Sequence, residues 1–353
     1  MIVHEWSARG TDAEIEGRRL GAAWAPELHA AVASYRTLFE QSGISVGTAH
    51  EIARGCAEAT DRFAPEVAAE FRGVAVGSGL APEDVLLLTA RTEVLARMTP
   101  SMECSTIVHV PGADAAPRTL QTWDWHETLS NETLVRRWRT GSGTRVAAFC
   151  EFGQPAKIGV NDRGLGVHFN ILHHRSDGSR IGVPVHVLSR MILDRAGTLD
   201  EAVAIARSVP LAASSVLTVV VRGAAAALEV TPAGVAVLPV RAGETFAHTN
   251  HFLDAHLAAG EYSPYETTSV PRYRCLVDNA ALARIADPRE RARAFGAVPV
   301  PGISVRARAE QPEHLRWETK LTVAIDVEAA ALEFAVGSPA DVDASPWRRV
   351  AAI

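Results

Sequence analysis

A cysteine stands where a charged stretch runs into a β-branched one, in Ser101-Met102-Glu103-Cys104-Ser105-Thr106-Ile107-Val108. Further on comes Gln121-Thr122-Trp123-Asp124-Trp125. A thiol at the head of a buried strand can serve as a nucleophile, because strand backbone holds it more rigidly than a loop does. The polar run Pro111-Gly112-Ala113-Asp114-Ala115-Ala116-Pro117 is the natural turn between the two segments. With the turn centred on Asp114, Cys104 falls opposite Asp124, their Cβ atoms roughly 5 Å apart. A slip of one residue would send one of the two side chains to the other face. A neighbouring carboxylate raises a thiol's pKa, so another group must take the proton. A break in the backbone before Cys104 would supply it, because the freed α-amine has a pKa of about 8. Asp124 would then orient that ammonium or the thiol, and no catalytic histidine is needed.

The other reactive side chains read as structure. Cys56, Cys150 and Cys275 are widely spaced with no CxxC, which suits small buried apolar groups rather than a disulfide framework or a structural zinc. His168, His173, His174 and His186 lie close in sequence, but they lack the HxxxH spacing of a helical metal site. His173 and His174 are adjacent and point to opposite faces of a strand. A histidine-metal hydrolase is the weaker competitor, and no metal is expected. His248 and His251 flank Asn250, as pocket lining or loop support. Trp123 and Trp125 read as core aromatics on the face away from Asp124. Arg91 and Glu93 read as a structural ion pair, and Arg136-Arg137 and Arg289 to Arg293 as solvated faces.

The net charge of -6 offers nothing to a nucleic acid. No GxGxxG follows a strand, and no P-loop is present. The first residues carry charge, and aliphatic runs such as Val219-Val220-Val221 are far too short for a bilayer. A cytoplasmic protein without a membrane partner is expected.

The first hundred or so residues read as helical. Ile15, Leu20, Trp24, Leu28, Val32, Tyr35 and Phe39 form one apolar stripe, and Gly17 and Gly21 would admit a close neighbour. A second helix carries Ile52, Cys56, Phe63, Val67 and Phe71, and a third runs from Pro82 to Val94. Strands follow over 106–110, 118–125, 146–152, 157–160 and 165–171, with Asn161-Asp162-Arg163-Gly164 as a hairpin turn. Helices return over 185–194 and 198–208, the latter opened by Thr198 and Glu201 in a capping-box pattern. Strands over 216–221, 227–230, 235–238 and 246–249, a helical stretch between Tyr273 and Phe295, and a hairpin of 320–327 with 331–336 complete the chain. Strands in consecutive runs, with helices in separate blocks, argue for an α+β fold of antiparallel sheets covered by helices.

The chain resembles the acyl-CoA:6-aminopenicillanate acyltransferase family of N-terminal-nucleophile hydrolases. The resemblance lies in Leu88-Thr89-Ala90-Arg91-Thr92-Glu93, Glu103-Cys104-Ser105-Thr106, Gln121-Thr122-Trp123-Asp124-Trp125, Asn161-Asp162-Arg163-Gly164-Leu165-Gly166-Val167 and His248-Thr249-Asn250-His251, in that order. It implies a single domain over 1–353, a four-layer αββα sandwich with two stacked antiparallel sheets. It also implies self-cleavage between Glu103 and Cys104 into a mostly helical piece, 1–103, and a second piece, 104–353, which stay associated. Cys104 falls on the family's nucleophile, Asp124 on its nearby aspartate and Asn250 on its asparagine. In Ile303-Ser304-Val305-Arg306-Ala307-Arg308, Arg306 is the match for the family's arginine, with Arg308 the alternative. The family's penicillin-forming enzyme has glycine before the nucleophile, whereas Glu103 is bulky and charged.

The implied activity is cleavage or transfer of an acyl group from an amide or thioester through a Cys104 acyl-enzyme. Asn250 would donate to the tetrahedral oxyanion, a contribution of about 3 kcal/mol, and Arg306 would grip negative charge. The partner is a small molecule, no cofactor is needed beyond coenzyme A as an acyl-donor substrate, and a homo-oligomer is compatible with the reading. The competing reading keeps the fold as an uncleaved, non-catalytic binder of a small molecule.

Overall fold

Two sheets organise the chain in a computed structural model that describes residues 1–96, 103–263, 267–299, 302–312 and 316–352. Ser101 and Met102, ahead of Glu103, lie outside the described residues. The eight-stranded sheet runs β1 (Ile2–Ser7), β4 (Glu132–Arg139), β5 (Arg145–Glu151), β6 (Ile158–Asn161), β7 (Leu165–Ile171), β8 (Ser215–Val221), β9 (Ala224–Thr231), β10 (Gly234–Val240). The six-stranded sheet runs β11 (Thr245–His248), β2 (Cys104–His109), β3 (Arg118–His126), β12 (Trp317–Asp326), β13 (Ala331–Val336), β14 (Arg348–Ala351). The sheets face each other through β2 against β7 and through β12 and β13 against β6. Helices α7 (Val185–Arg195) and α8 (Leu199–Ser208) cover the larger sheet, while α10 (Ser269–Asp278) and α11 (Pro288–Gly296) cover the smaller. The layers are therefore helix, sheet, sheet, helix, in an α+β fold. One pair departs from the antiparallel expectation: β1 lies parallel to β4.

The long N-terminal stripe is cut once, at Pro26, where proline forbids a continuous helix. The chain forms α1 (Ala13–Ala23) and α2 (Ala25–Gln41), with Pro26 in the first turn of α2. The second expected helix likewise splits into α3 (Val46–Phe63) and α4 (Pro65–Ser78) at Pro65. The third splits into α5 (Pro82–Thr89) and α6 (Arg91–Leu95). Gly17 and Gly21 do admit a close neighbour. A Cβ on Gly17 would sit 2.1 Å from the Glu70 carbonyl oxygen of α4, and Gly73 and Gly77 of α4 are equally crowded by α1. Thr198 caps α8, its hydroxyl accepting from the Glu201 N–H at 3.2 Å.

Four expectations need correction. The first is that the 289–293 stretch is solvated throughout: Arg291 in it is buried and donates to the Thr119 carbonyl at 2.9 Å. Strand β4 was not legible, and Arg136 on it is no solvated group: it is 3% exposed and bonded to Glu70 at 2.7 Å. Arg91 pairs with Glu151 rather than Glu93, whose carboxylate instead accepts from the Val185 N–H at 2.8 Å. The register of β2 and β3 is shifted by one, so Cys104 faces Trp123, and Asp124 is not its opposite number. The cause is the turn: His109 pairs with Arg118, and the eight intervening residues put its centre between Ala113 and Asp114. Val110, just after β2, exchanges backbone bonds with the Gly243-Glu244 turn.

Candidate active site

The shifted register sorts the side chains between two faces. Facing residues of an antiparallel pair share a face, and successive residues alternate. Cys104 and Trp123 point toward the larger sheet, where the Trp123 ring meets Phe149 of β5 at 5.2 Å. Asp124 points the other way, toward α10, and its Oδ1 accepts a 2.6 Å bond from the Thr319 hydroxyl of β12. Thr319 in turn accepts from the Val305 N–H at 2.9 Å. Trp123 and Trp125 stack with centroids 6.0 Å apart in the intersheet core, on the face away from Asp124 as expected.

What Asp124 brings to the Glu103–Cys104 bond is its backbone. The Asp124 N–H donates to the Glu103 carbonyl oxygen at 3.2 Å. The Cys104 N–H donates to Asn250 Oδ1 at 2.8 Å, so both polar groups of this one peptide unit are held. Asn250 follows β11, and its orientation is fixed at both ends, since Nδ2 donates to the Ile171 carbonyl at 2.8 Å. The loop is braced below. Buried His248 bonds Glu229 at 2.8 Å, and Glu229 also accepts from the N–H groups of Leu253 and Asp254. The Asn250 N–H donates to the Ser269 hydroxyl at 2.7 Å. His251 shares that hydroxyl at 2.7 Å, so both flanking histidines are tied into the loop.

Arg272 on α10 joins these pieces, and the sequence had offered no reason to select it. Its guanidinium donates to the Cys104 carbonyl at 2.7 Å, the Ser105 hydroxyl at 2.7 Å, Asn250 Oδ1 at 2.9 Å and the Thr268 hydroxyl at 3.0 Å. It also pairs with the Glu103 carboxylate at 3.1 Å. Its helical position lets all five donors fan over one buried strand end, which suits a planar fork. Arg306 is elsewhere. It is exposed and ion-paired with Asp341, although its neighbour Val305 touches the Thr319 that holds Asp124. Arg308 is also exposed.

Burial governs the charges. Cys104 is 4% exposed, and burial, then the Asp124 charge, pushes its thiol up to about 12. Burial raises Asp124 to about 7 against the opposing pull of Arg272, so near neutral pH this carboxyl can hold or release a proton. Its Oδ2 has no hydrogen-bond partner. Beyond Trp123 lies a second buried group that sequence reasoning passed over. The Lys157 ammonium sits 4.1 Å above the Trp123 ring and pairs with Glu151, and burial pulls its pKa down to about 8. Burial would push Glu151 up, but Arg91 and Lys157 together hold it well below the usual carboxylate range.

The arrangement can polarise the Glu103 carbonyl, hold the leaving nitrogen of Cys104 and accept the new amine on Asn250 Oδ1. A group able to take the thiol proton is the scarce item, as the elevated thiol makes plain. Among the described residues, no three His, Cys, Asp or Glu side chains are grouped as metal ligands would be. No described helix is long and apolar enough to cross a membrane.

A family model described as acyl-coenzyme A:6-aminopenicillanic acid acyl-transferase matches residues 114–278. That span takes in Asp124, Asn250 and Arg272 and begins after Cys104. The 40 kDa form of acyl-coenzyme A:6-aminopenicillanic-acid acyltransferase from Emericella nidulans is 27% identical over 194 residues. The aligned stretch is 54% of this chain and 53% of that relative, about half the length of each. Among solved structures, a conjugated bile acid hydrolase from Clostridium perfringens has a TM-score of 0.42 and 11% identity, covering 66% of this chain and 89% of that one. A penicillin V acylase from Agrobacterium tumefaciens has a TM-score of 0.30 and 15% identity, covering 67% and 76%. At those scores neither likeness carries an argument about this chain.

Proposed function

We propose, for a chain whose family is that of the acyl-coenzyme A:6-aminopenicillanic acid acyltransferases, a cysteine amidohydrolase or acyltransferase that first cuts itself between Glu103 and Cys104. The observation that carries this reading is the double grip on one peptide unit: Asp124 N–H on the Glu103 oxygen and Asn250 Oδ1 on the Cys104 nitrogen. An ordinary strand start would have no reason to spend a buried asparagine and a buried arginine there.

In the cut itself, Cys104 sulfur bonds to the Glu103 carbonyl carbon, and the carbon–nitrogen bond breaks. The thiol proton passes to the departing nitrogen, which becomes the α-amine of Cys104. Water then hydrolyses the thioester, regenerating the thiol and leaving Glu103 as a new carboxylate terminus. The freed amine, beside Asn250 Oδ1, is the proton acceptor that the intact site lacks. On a substrate the same sulfur attacks an amide or thioester carbonyl, the amine carries the proton to the leaving group, and water or an incoming amine releases the acyl group. The Asp124 N–H faces the developing oxyanion. Asn250, expected from the sequence to donate to it, has its Nδ2 on the Ile171 carbonyl and instead holds the Cys104 nitrogen through Oδ1. Arg272 holds Asn250 in place and takes the part that the resemblance assigned to Arg306. The pieces 1–103 and 104–353 stay together because β1 of the first is hydrogen-bonded to β4 of the second.

Mass spectrometry of the purified protein tests this. The expected result is a fragment ending at Glu103 and one beginning at Cys104, with an intact, inactive chain for Cys104→Ala. An intact wild-type chain, with amidase activity that survives Cys104→Ala, would overturn it.

A further inference from the structure

The side chain of Glu103 is fully buried, and it is not packed there by default. Its Oε1 accepts from the Thr267 hydroxyl at 2.6 Å and the Thr268 N–H at 2.7 Å. Its Oε2 accepts from the Thr268 hydroxyl and from Arg272 at 3.1 Å. Four donors, one of them a guanidinium that is itself 1% exposed, make a carboxylate receptor rather than a tolerated charge. The residue it receives is the acyl half of the bond that Cys104 would attack. This chain therefore contains its own first substrate, seated with its carbonyl oxygen on the Asp124 N–H and its acid group on Arg272.

We infer that the hollow vacated by Glu103 is the acyl subsite of the working enzyme, and that the preferred acyl group carries a carboxylate. The inference rests on the self-cleavage proposed above. Spacing sets the chain length. From its main-chain carbonyl to its carboxylate, glutamate spans the five carbons of a glutaryl group. A glutaryl-type amide or thioester, with or without an amino substituent next to the carbonyl, puts both ends on donors already in place. A neutral acyl group of equal length buries Arg272 without a counter-charge, which is unfavourable. A succinyl group is one carbon short of the receptor. The reaction is that of Cys104 already written, with the glutaryl group on sulfur and the amine or thiol as leaving group.

The test uses the purified wild-type protein and the p-nitroanilides of glutaric, succinic and pentanoic acids, after fragment masses have established whether the chain is cut. The expected result is a kcat/KM for the glutaryl anilide at least about tenfold above the other two, the size of one charge-assisted bond. Thr267→Val, which deletes one donor to the carboxylate, should narrow that ratio. A cut chain that turns over pentanoyl as fast as glutaryl overturns the subsite and leaves the nucleophile standing. If the wild-type chain is not cut, the earlier reading fails, and the receptor is judged alone. Propionate, the missing part of the side chain, should raise the Tm of Cys104→Ala/Glu103→Gly, and propanol should not. Acetate serves in the same way for Glu103→Ala, should the glycine variant not fold. A Tm indifferent to the acid overturns the subsite.

Discussion

Replacing Arg272 by methionine isolates what binds Glu103 in place. The experiment belongs in a Cys104→Ala background, where the chain stays whole. Truncation removes the charge opposite Glu103 and the donors to the Cys104 carbonyl, Ser105 and Asn250. Breaking a buried pair by deleting one partner costs about 3–5 kcal/mol. Glu103 keeps three donors from Thr267 and Thr268, which places the expected loss near the lower end, at about 3 kcal/mol. Glu103→Gln keeps the shape but leaves the buried Arg272 without its counter-charge, so by the same rule it should also cost about 3 kcal/mol. In the double variant neither charge is left without its partner, so the two losses should fall short of their sum by at least about 1.5 kcal/mol. Urea unfolding of the four proteins supplies the cycle. Losses that add to within about 0.5 kcal/mol would show that Arg272 and Glu103 do not sense each other, and the receptor argument would lose its footing.

Other outcomes follow from particular contacts. With the Cys104 thiol pushed up to about 12, the thiolate fraction grows tenfold per pH unit, so self-cleavage followed on gels should accelerate throughout about pH 6–9; a plateau in that range would contradict the burial argument. In the intact chain, Asp124 is raised to about 7, so the folded state keeps a proton that the unfolded state loses above about pH 4. Its contribution to stability is complete below about pH 4 and is lost as pH rises through 7. Asp124→Asn in the Cys104→Ala background should flatten the stability curve between those limits, and an unchanged slope would refute the assignment. Gly17→Ala drives a methyl into the Glu70 backbone and should cost about 1–3 kcal/mol by urea unfolding, whereas Gly47→Ala, whose nearest atom is 3.8 Å away, should cost little. After the cut, both fragments should elute together on gel filtration, and separate peaks would deny that β1 holds them.

The parts of this protein that announce themselves locally were legible in its sequence. Cys104 heads its strand, Asp124 lies in the next one, Asn250 sits in a short loop, and Gly17 and Gly21 mark a close helix crossing. The register error came from a turn whose centre lies between two residues, a half-residue matter that composition does not resolve. Arg272 was invisible for a different reason. It sits in a polar stretch of α10, and its role arises only when that helix is laid across the end of β2. Arg306 was chosen by motif, yet the segment bends so that Val305, not Arg306, turns inward to Thr319. Strand β4 was missed because Arg136 and Arg137 look hydrophilic, whereas Arg136 is neutralised by Glu70 brought from α4.

The parallel seam between β1 and β4 also dictates how such a protein has to be manufactured. A polypeptide starting at Cys104 would bare the border of β4, a row of unsatisfied amides flanked by Leu134 and Val135, and such borders recruit other chains into aggregates. Under the proposed cut, the leading piece is what covers that border while the sheet assembles. Two separate genes could deliver the same atoms only if they met before that border found a worse companion.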